Sequence, residues 1–351
     1  MGLIRLILAF AIVSNHYPNH QLFDFLYASV AVKSFYIISG FYMALILNNN
    51  SYSNKMNFYI SRFMRLYPIY IVCLIITFLL GSGNTTSGRN IFTEDLDLIP
   101  TIFIIFTNLT MFFQDLTMIL GINGNELNIV KNFNNSSPYP IYQYLYVPQG
   151  WSLGLELTFY LIAPFLLKNI KINKILFLIL LSFLIRGFLM SKGFKEDPWN
   201  YRFFPNEISL FLFGAISYVL YQKSFFFKDK DLSLISIAFV VVFISSFSYL
   251  KFPEKDIVFY LCLIILLPNI FLFSKKVKLD KLLGELSFPV YCCHIFVIHY
   301  FINKIDFITS NPTGFVQTVF GYSIILIFSI ILYLFFQIPV DKIRNNFKFK
   351  K

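Results

Sequence analysis

Uninterrupted apolar stretches, repeated from one end of the chain to the other, limit what this sequence can fold into. They fall at residues 3–17, 27–47, 64–81, 98–121, 151–167, 174–191, 203–221, 232–250, 257–273, 284–302 and 315–338. Most approach the ~20 residues that an α-helix needs to cross ~30 Å of hydrocarbon. Inside lipid every backbone N–H and C=O must be paired internally, which leaves helices or closed barrels. Barrel strands alternate in polarity and these stretches do not, so the chain reads as an all-α polytopic membrane protein. Composition agrees. Only 13% of the 351 residues are charged, against roughly 25% in soluble domains.

The net charge of +11 is not the footprint of a nucleic-acid partner, because the cations sit in short clusters between apolar runs. Lys168, Lys171 and Lys174 form one cluster; Lys275, Lys276, Lys278 and Lys281 form another. Such clusters are expected in cytoplasmic loops that face anionic lipid. Eleven crossings from a cytoplasmic N-terminus would place them outside. A re-entrant or interfacial 98–121 removes the conflict and gives Gln114 and Asp115 an easier home. The prediction is therefore about ten transmembrane helices plus one re-entrant or interfacial segment, with N- and C-termini cytoplasmic. Lys33 and Arg186 then stay within the membrane, and loops 82–97 and 122–150 face outward. The second of these, with "NFNNSSPYPIYQYLYVPQG", is long enough for a lid or a binding surface. Residues 1–340 read as one integral-membrane domain and 341–351 as a short basic cytoplasmic tail. The apolar first helix has no small-residue cleavage site after it and is expected to be retained. Cys73, Cys262, Cys292 and Cys293 lack metal-ligand spacing and read as small buried hydrophobes.

Ionisable groups inside a span are costly and tend to mark a pathway or a site. In "RLILAFAIVSNH" Arg5 and His16 stand eleven residues apart. That is ~16 Å of helical rise and almost three whole turns, so the two share a face near opposite membrane surfaces. In "SRFMRLYPIY" Arg62 and Arg65, three apart, share a face at the cytoplasmic start of a span. Two forked guanidiniums there suit a phosphate clamp; positive-inside anchoring is the alternative. "WSLGLELTFYLIAPFLL" puts Trp151 at an outer interface and Glu156 about one and a half turns inside. A carboxylate at that depth must be paired or protonated, either beside a histidine or in a structural pair with Arg186 or Lys33. "LSFPVYCCHIFVIHYF" carries His294 and His299, which packing alone could explain. Ser39 and Gly40 in "SFYIISGFYMALIL" are a small pair that permits close approach of a helix or a ligand.

Taken together and in this order, these stretches resemble the integral-membrane acyltransferase family 3. The family's Arg, ten residues, His in the first helix is reproduced by Arg5 and His16, and its RxxR by Arg62 and Arg65. Its FF(V/I)(L/I)SGF is close to "FYIISGF", its WSLxxExxFYLxxP matches "WSLGLELTFYLIAP", and its SYxxYLxH matches "SFPVYCCH". Some positions depart from the pattern: Lys33 replaces a common acid, Phe288 and Cys292 replace Tyr and Leu, and Asn15 precedes the histidine.

The resemblance implies an O-acetyltransferase in a bacterial cytoplasmic membrane. It would move an acyl group, usually acetyl, from acetyl-CoA to the hydroxyl of an extracytoplasmic carbohydrate, either a surface polysaccharide or a lipid-linked sugar. No metal is expected. His16 would be the base or acyl acceptor, Glu156 its acidic partner, and Arg5, Arg62 and Arg65 the donor's phosphate ligands. Trp151, His294 and Ser39 would line the substrate side. A secondary transporter or flippase for an anionic or lipid-linked solute is the alternative; it would need the same intramembrane charges without chemistry.

Overall fold

A computed structural model of the chain describes all residues except 18–24, 82–84, 124–125, 133–138, 224–229, 312–313 and 348–351. The polar stretch at 133–138 and the end of the basic tail therefore lie outside the described residues. Fourteen α-helices are described, with shorter 3-10 and π turns. The chain divides into two compact units, 1–49 with 210–335 and 50–209 with 336–351.

The first unit holds α1 (Gly2–His16), α2 (Ala28–Asn48) and most of α8 (Phe204–Lys223). It continues through α9 (Lys230–Ser246), α10 (Lys255–Ser274), α11 (Lys278–Tyr300), α12 (Asp306–Thr309) and α13 (Phe315–Leu332). Small residues set its helix spacing. A Cβ on Gly40 of α2 would stand 1.8 Å from the Phe211 carbonyl oxygen, and one on Gly214 2.0 Å from that of Ile37. Gly40 thus serves helix-to-helix approach, as small residues do in membrane bundles. Ser39 itself is buried.

The second unit begins with α3 (Lys55–Leu80), capped where the Asn57 N–H donates to Asn54 Oδ1 at 2.8 Å. It includes α4 (Leu98–Thr110), α5 (Leu116–Ile119), α6 (Trp151–Leu166), α7 (Ile172–Ser191) and α14 (Ile338–Arg344). The apolar stretch 98–121 is broken. α4 ends at Met111 in a left-handed conformation (φ 63°), and Phe113 (φ 61°) turns the chain again. Thirteen residues of helix rise only ~20 Å, short of a full crossing. Beyond α5 the chain forms β1 (Leu120–Asn123), β2 (Glu126–Ile129) and β3 (Tyr139–Pro140), an antiparallel sheet in the order β2–β1–β3. Its apolar side, through Ile122, packs with Ile104, Ile141 and Tyr144.

Among the described residues eight helices are long and apolar enough to cross a membrane: α2, α3, α7, α8, α9, α10, α11 and α13 with its continuation. At 15 and 16 residues, α1 and α6 are shorter. The chain is a mostly helical membrane protein.

Candidate active site

In the first unit, α1 and α11 lie side by side because two glycines leave room. A Cβ on Gly2 would come within 1.5 Å of the Asp280 carbonyl oxygen, and one on Gly284 within 3.0 Å of the Gly2 Cα. The Asp280 carboxylate accepts the Gly2 N–H at 2.7 Å and the Leu3 N–H at 2.9 Å, which satisfies backbone donors that a helix start leaves open. At the other end of the same pair the rings of His16 and His294 are 5.2 Å apart, tilted by 45°. The two helices therefore run parallel, with Arg5 at one end and the histidine pair at the other. Arg5 is partly buried, and a Cβ on Gly284 would sit 3.6 Å from its Nη1.

The two histidines differ in access. His16 is exposed and His294 is fully buried. The Nδ1 of His294 lies 2.6 Å from the Tyr291 carbonyl oxygen. A carbonyl can only accept, so Nδ1 carries the proton and Nε2 presents its lone pair. That Nε2 is buried without a hydrogen-bond partner among the described residues. Asn15 ties the end of α1 to the start of α2: its Nδ2 donates to the Ala11 carbonyl at 2.8 Å, and its Oδ1 accepts the Ala28 N–H at 3.2 Å. Tyr17 stacks on Tyr322 at 5.7 Å beside Gly321, where a Cβ would meet its hydroxyl.

In the second unit, Arg62 of α3 donates to the Tyr52 hydroxyl at 2.6 Å, and Arg65 follows on the same helix, partly buried. Arg62 lines a cavity of about 270 Å³ together with Tyr59, Phe63, Phe112, Leu157 and Tyr160. Tyr160 also donates its hydroxyl to the Glu156 carboxylate, so α6 brings this acid within one turn of the arginine's cavity. Trp151 is 5% exposed. The Arg202 guanidinium covers its ring at 4.4 Å and Tyr201 meets its edge at 5.0 Å.

A profile of acyltransferase family 3, described as an acyltransferase domain, matches residues 1–334. The chain belongs to this family. It is a membrane acyltransferase. A relative from Aquifex aeolicus (strain VF5), described as an uncharacterized protein, is 26% identical to the acyltransferase over 213 residues, 57% of this chain and 90% of the relative. No solved structure matches it.

Of the residues expected at the site, the acyltransferase brings His16 and His294 together and puts Arg5 at the far end of their helix pair. Tyr160, which lines the Arg62 cavity, donates to Glu156, which itself is not part of that lining. Three structural roles were not legible from sequence. Arg186 pairs with Glu207 at 2.8 Å, whereas Glu156 had been offered as its partner. Asn15, a departure from the family pattern, is the link between α1 and α2. Asp115 lies buried where the turn after α4 seats on Gly154, and burial pushes its carboxyl up to about 7. Each of the three gave a signal in the sequence, Arg186 as an intramembrane cation, Asn15 as a departure from the family pattern and Asp115 as an acid inside an apolar stretch; Glu207 was not singled out.

Proposed function

We propose that the acyltransferase moves an acetyl group from cytoplasmic acetyl-CoA to a hydroxyl of an extracytoplasmic carbohydrate, a surface polysaccharide or a lipid-linked sugar. Ten crossings, the eight long helices with α1 and α6, would hold both termini in the cytoplasm of a bacterial cell. The observation that carries the reading is the α1–α11 pair: a cation at one end and an accessible histidine backed by a buried one at the other. The ~16 Å of rise between Arg5 and His16 suits a donor whose charged nucleotide stays inside while its slender pantetheine arm reaches outward. Arg5 is the phosphate ligand on that helix pair, and the family resemblance adds Arg62 and Arg65 to that role, for which forked guanidiniums are suited.

His16 takes the proton from the attacking hydroxyl as the oxygen forms its bond to the thioester carbonyl carbon. The tetrahedral adduct collapses with cleavage of the carbon–sulfur bond, and the imidazolium returns the proton to the departing CoA thiolate. Imidazole titrates near neutrality, which fits both halves of that exchange. His294 packs behind His16, its ring 5.2 Å away, and Glu156 is the acid the family pattern adds to the reaction. Acyl transfer uses the intramembrane charges that the transport alternative leaves without chemistry.

Proton NMR of surface glycan tests the reading, in host cells that lack the gene and are complemented with intact protein or with His16→Ala. An alkali-labile acetyl signal is expected with the intact protein and not with the variant at equal membrane level. Identical glycans from the two would overturn it.

A further inference from the structure

Positive-inside topology requires only that lysines lie on the correct side of the membrane. The cluster at 275–281 does more. Lys275, Lys276, Lys278 and Lys281, from the turn between α10 and α11, line one open cavity of about 200 Å³ with Arg5 of α1. All four lysines are exposed, and among the described residues none of them pairs with a carboxylate. Two acids share the wall: Asp280 is buried and committed to the Gly2 and Leu3 N–H groups, and Glu285 is half-buried, so five cations outnumber them. A concave site walled by cations focuses their field and concentrates anions.

The rest of the wall narrows the choice of anion. Tyr42 and Phe271 also line the cavity, their rings 6.1 Å apart and edge to face. The Lys275 ammonium stands 5.9 Å from the Phe271 ring. Lipid headgroups and nucleotides share phosphate chemistry, but a lipid also needs an aliphatic trough for its chains. Val277 is the single aliphatic side chain of this lining. Aromatic rings beside cations suit a base and its phosphates better.

We infer that this cavity binds the nucleotide end of the acyl-CoA donor, with its phosphates on Arg5 and the four lysines and its base toward Tyr42 and Phe271. The inference rests on acyl-CoA being the donor, and it adds six residues to the donor site. A ribose phosphate and a diphosphate together carry more negative charge than one arginine pair balances.

Lysine labelling of the purified full-length protein tests it without relying on turnover. Pyridoxal 5′-phosphate, fixed by borohydride and mapped by peptide mass spectrometry, reports which lysines sit in a phosphate site. Lys275, Lys276, Lys278 and Lys281 are expected to react at least ~10-fold faster than exposed Lys168, Lys171 and Lys174, the scale on which a charged cleft concentrates anions. Adenosine 3′,5′-bisphosphate and acetyl-CoA should each suppress the excess. Equal labelling of the two clusters would overturn the inference, as would protection by phosphatidylglycerol alone. Acetyl-CoA-dependent transfer by a preparation with unprotected lysines would remove the cavity and keep the donor. Protection by the bisphosphate in a preparation that transfers nothing would keep the cavity as a nucleotide site and remove the donor.

Discussion

At the scale of single residues, two side chains hold most of the account. His16 is exposed at the end of α1 while His294 behind it is sealed from solvent. A positioned base contributes about 10²–10⁴-fold to a rate, so His16→Ala should lower kcat for acetyl transfer by that factor and leave the amount of folded protein unchanged. A radiolabelled acetyl-transfer assay on membranes checks this. Asp115 offers a separate test. Burial raises its carboxyl from 3.8 to about 7. Between those values the folded chain keeps a proton that the unfolded chain has lost, so folding takes up a proton and stability falls as pH rises from about 4 to about 7. Asp115→Asn should remove that slope: its melting midpoint should exceed the parent's by a margin that grows across this window. Equal margins at pH 5 and pH 8 would count against it. The Arg5–His16 relation was legible because helical period alone fixes it. The approach of His294 was not, since no local rule says which face of a distant helix α1 meets.

At the scale of elements, close helix contact and buried charge make the predictions. Gly40 meets the Phe211 backbone where a methyl group has no room. Overpacking of this kind costs about 1–3 kcal/mol or more, so Gly40→Leu should lower the thermal midpoint by several degrees while Gly187→Leu, which faces open space, should not. Arg186 and the fully buried Glu207 pair between α7 and α8. Removing one partner of a buried pair strands a charge and costs about 3–5 kcal/mol. Arg186→Met should therefore destabilise strongly, and adding Glu207→Leu should restore much of the loss in a double-mutant cycle. Additive effects would show the pair to be uncoupled. The helices were readable from length and apolar content, and so was the oddity of 98–121. The sheet β2–β1–β3 was hidden, because its strands have at most four residues and β1 begins inside the apolar stretch 98–121. Glu207 escaped notice because its partner is set by the meeting of two helices, which spacing along one helix does not reveal.

At the scale of the whole molecule, the account needs a donor side and an acceptor side. A cysteine placed at Lys131 should react with an impermeant maleimide in intact cells, and one at Lys276 only after permeabilisation. The reverse pattern would contradict the orientation. The most direct test of the central claim uses inverted membrane vesicles with radiolabelled acetyl-CoA supplied only outside, at the cytoplasmic face. The account predicts base-labile label on glycan in the lumen, free CoA thiol outside, and loss of both with His16→Ala. Label on glycan at the face where acetyl-CoA was added, or equal transfer by the variant, would contradict it.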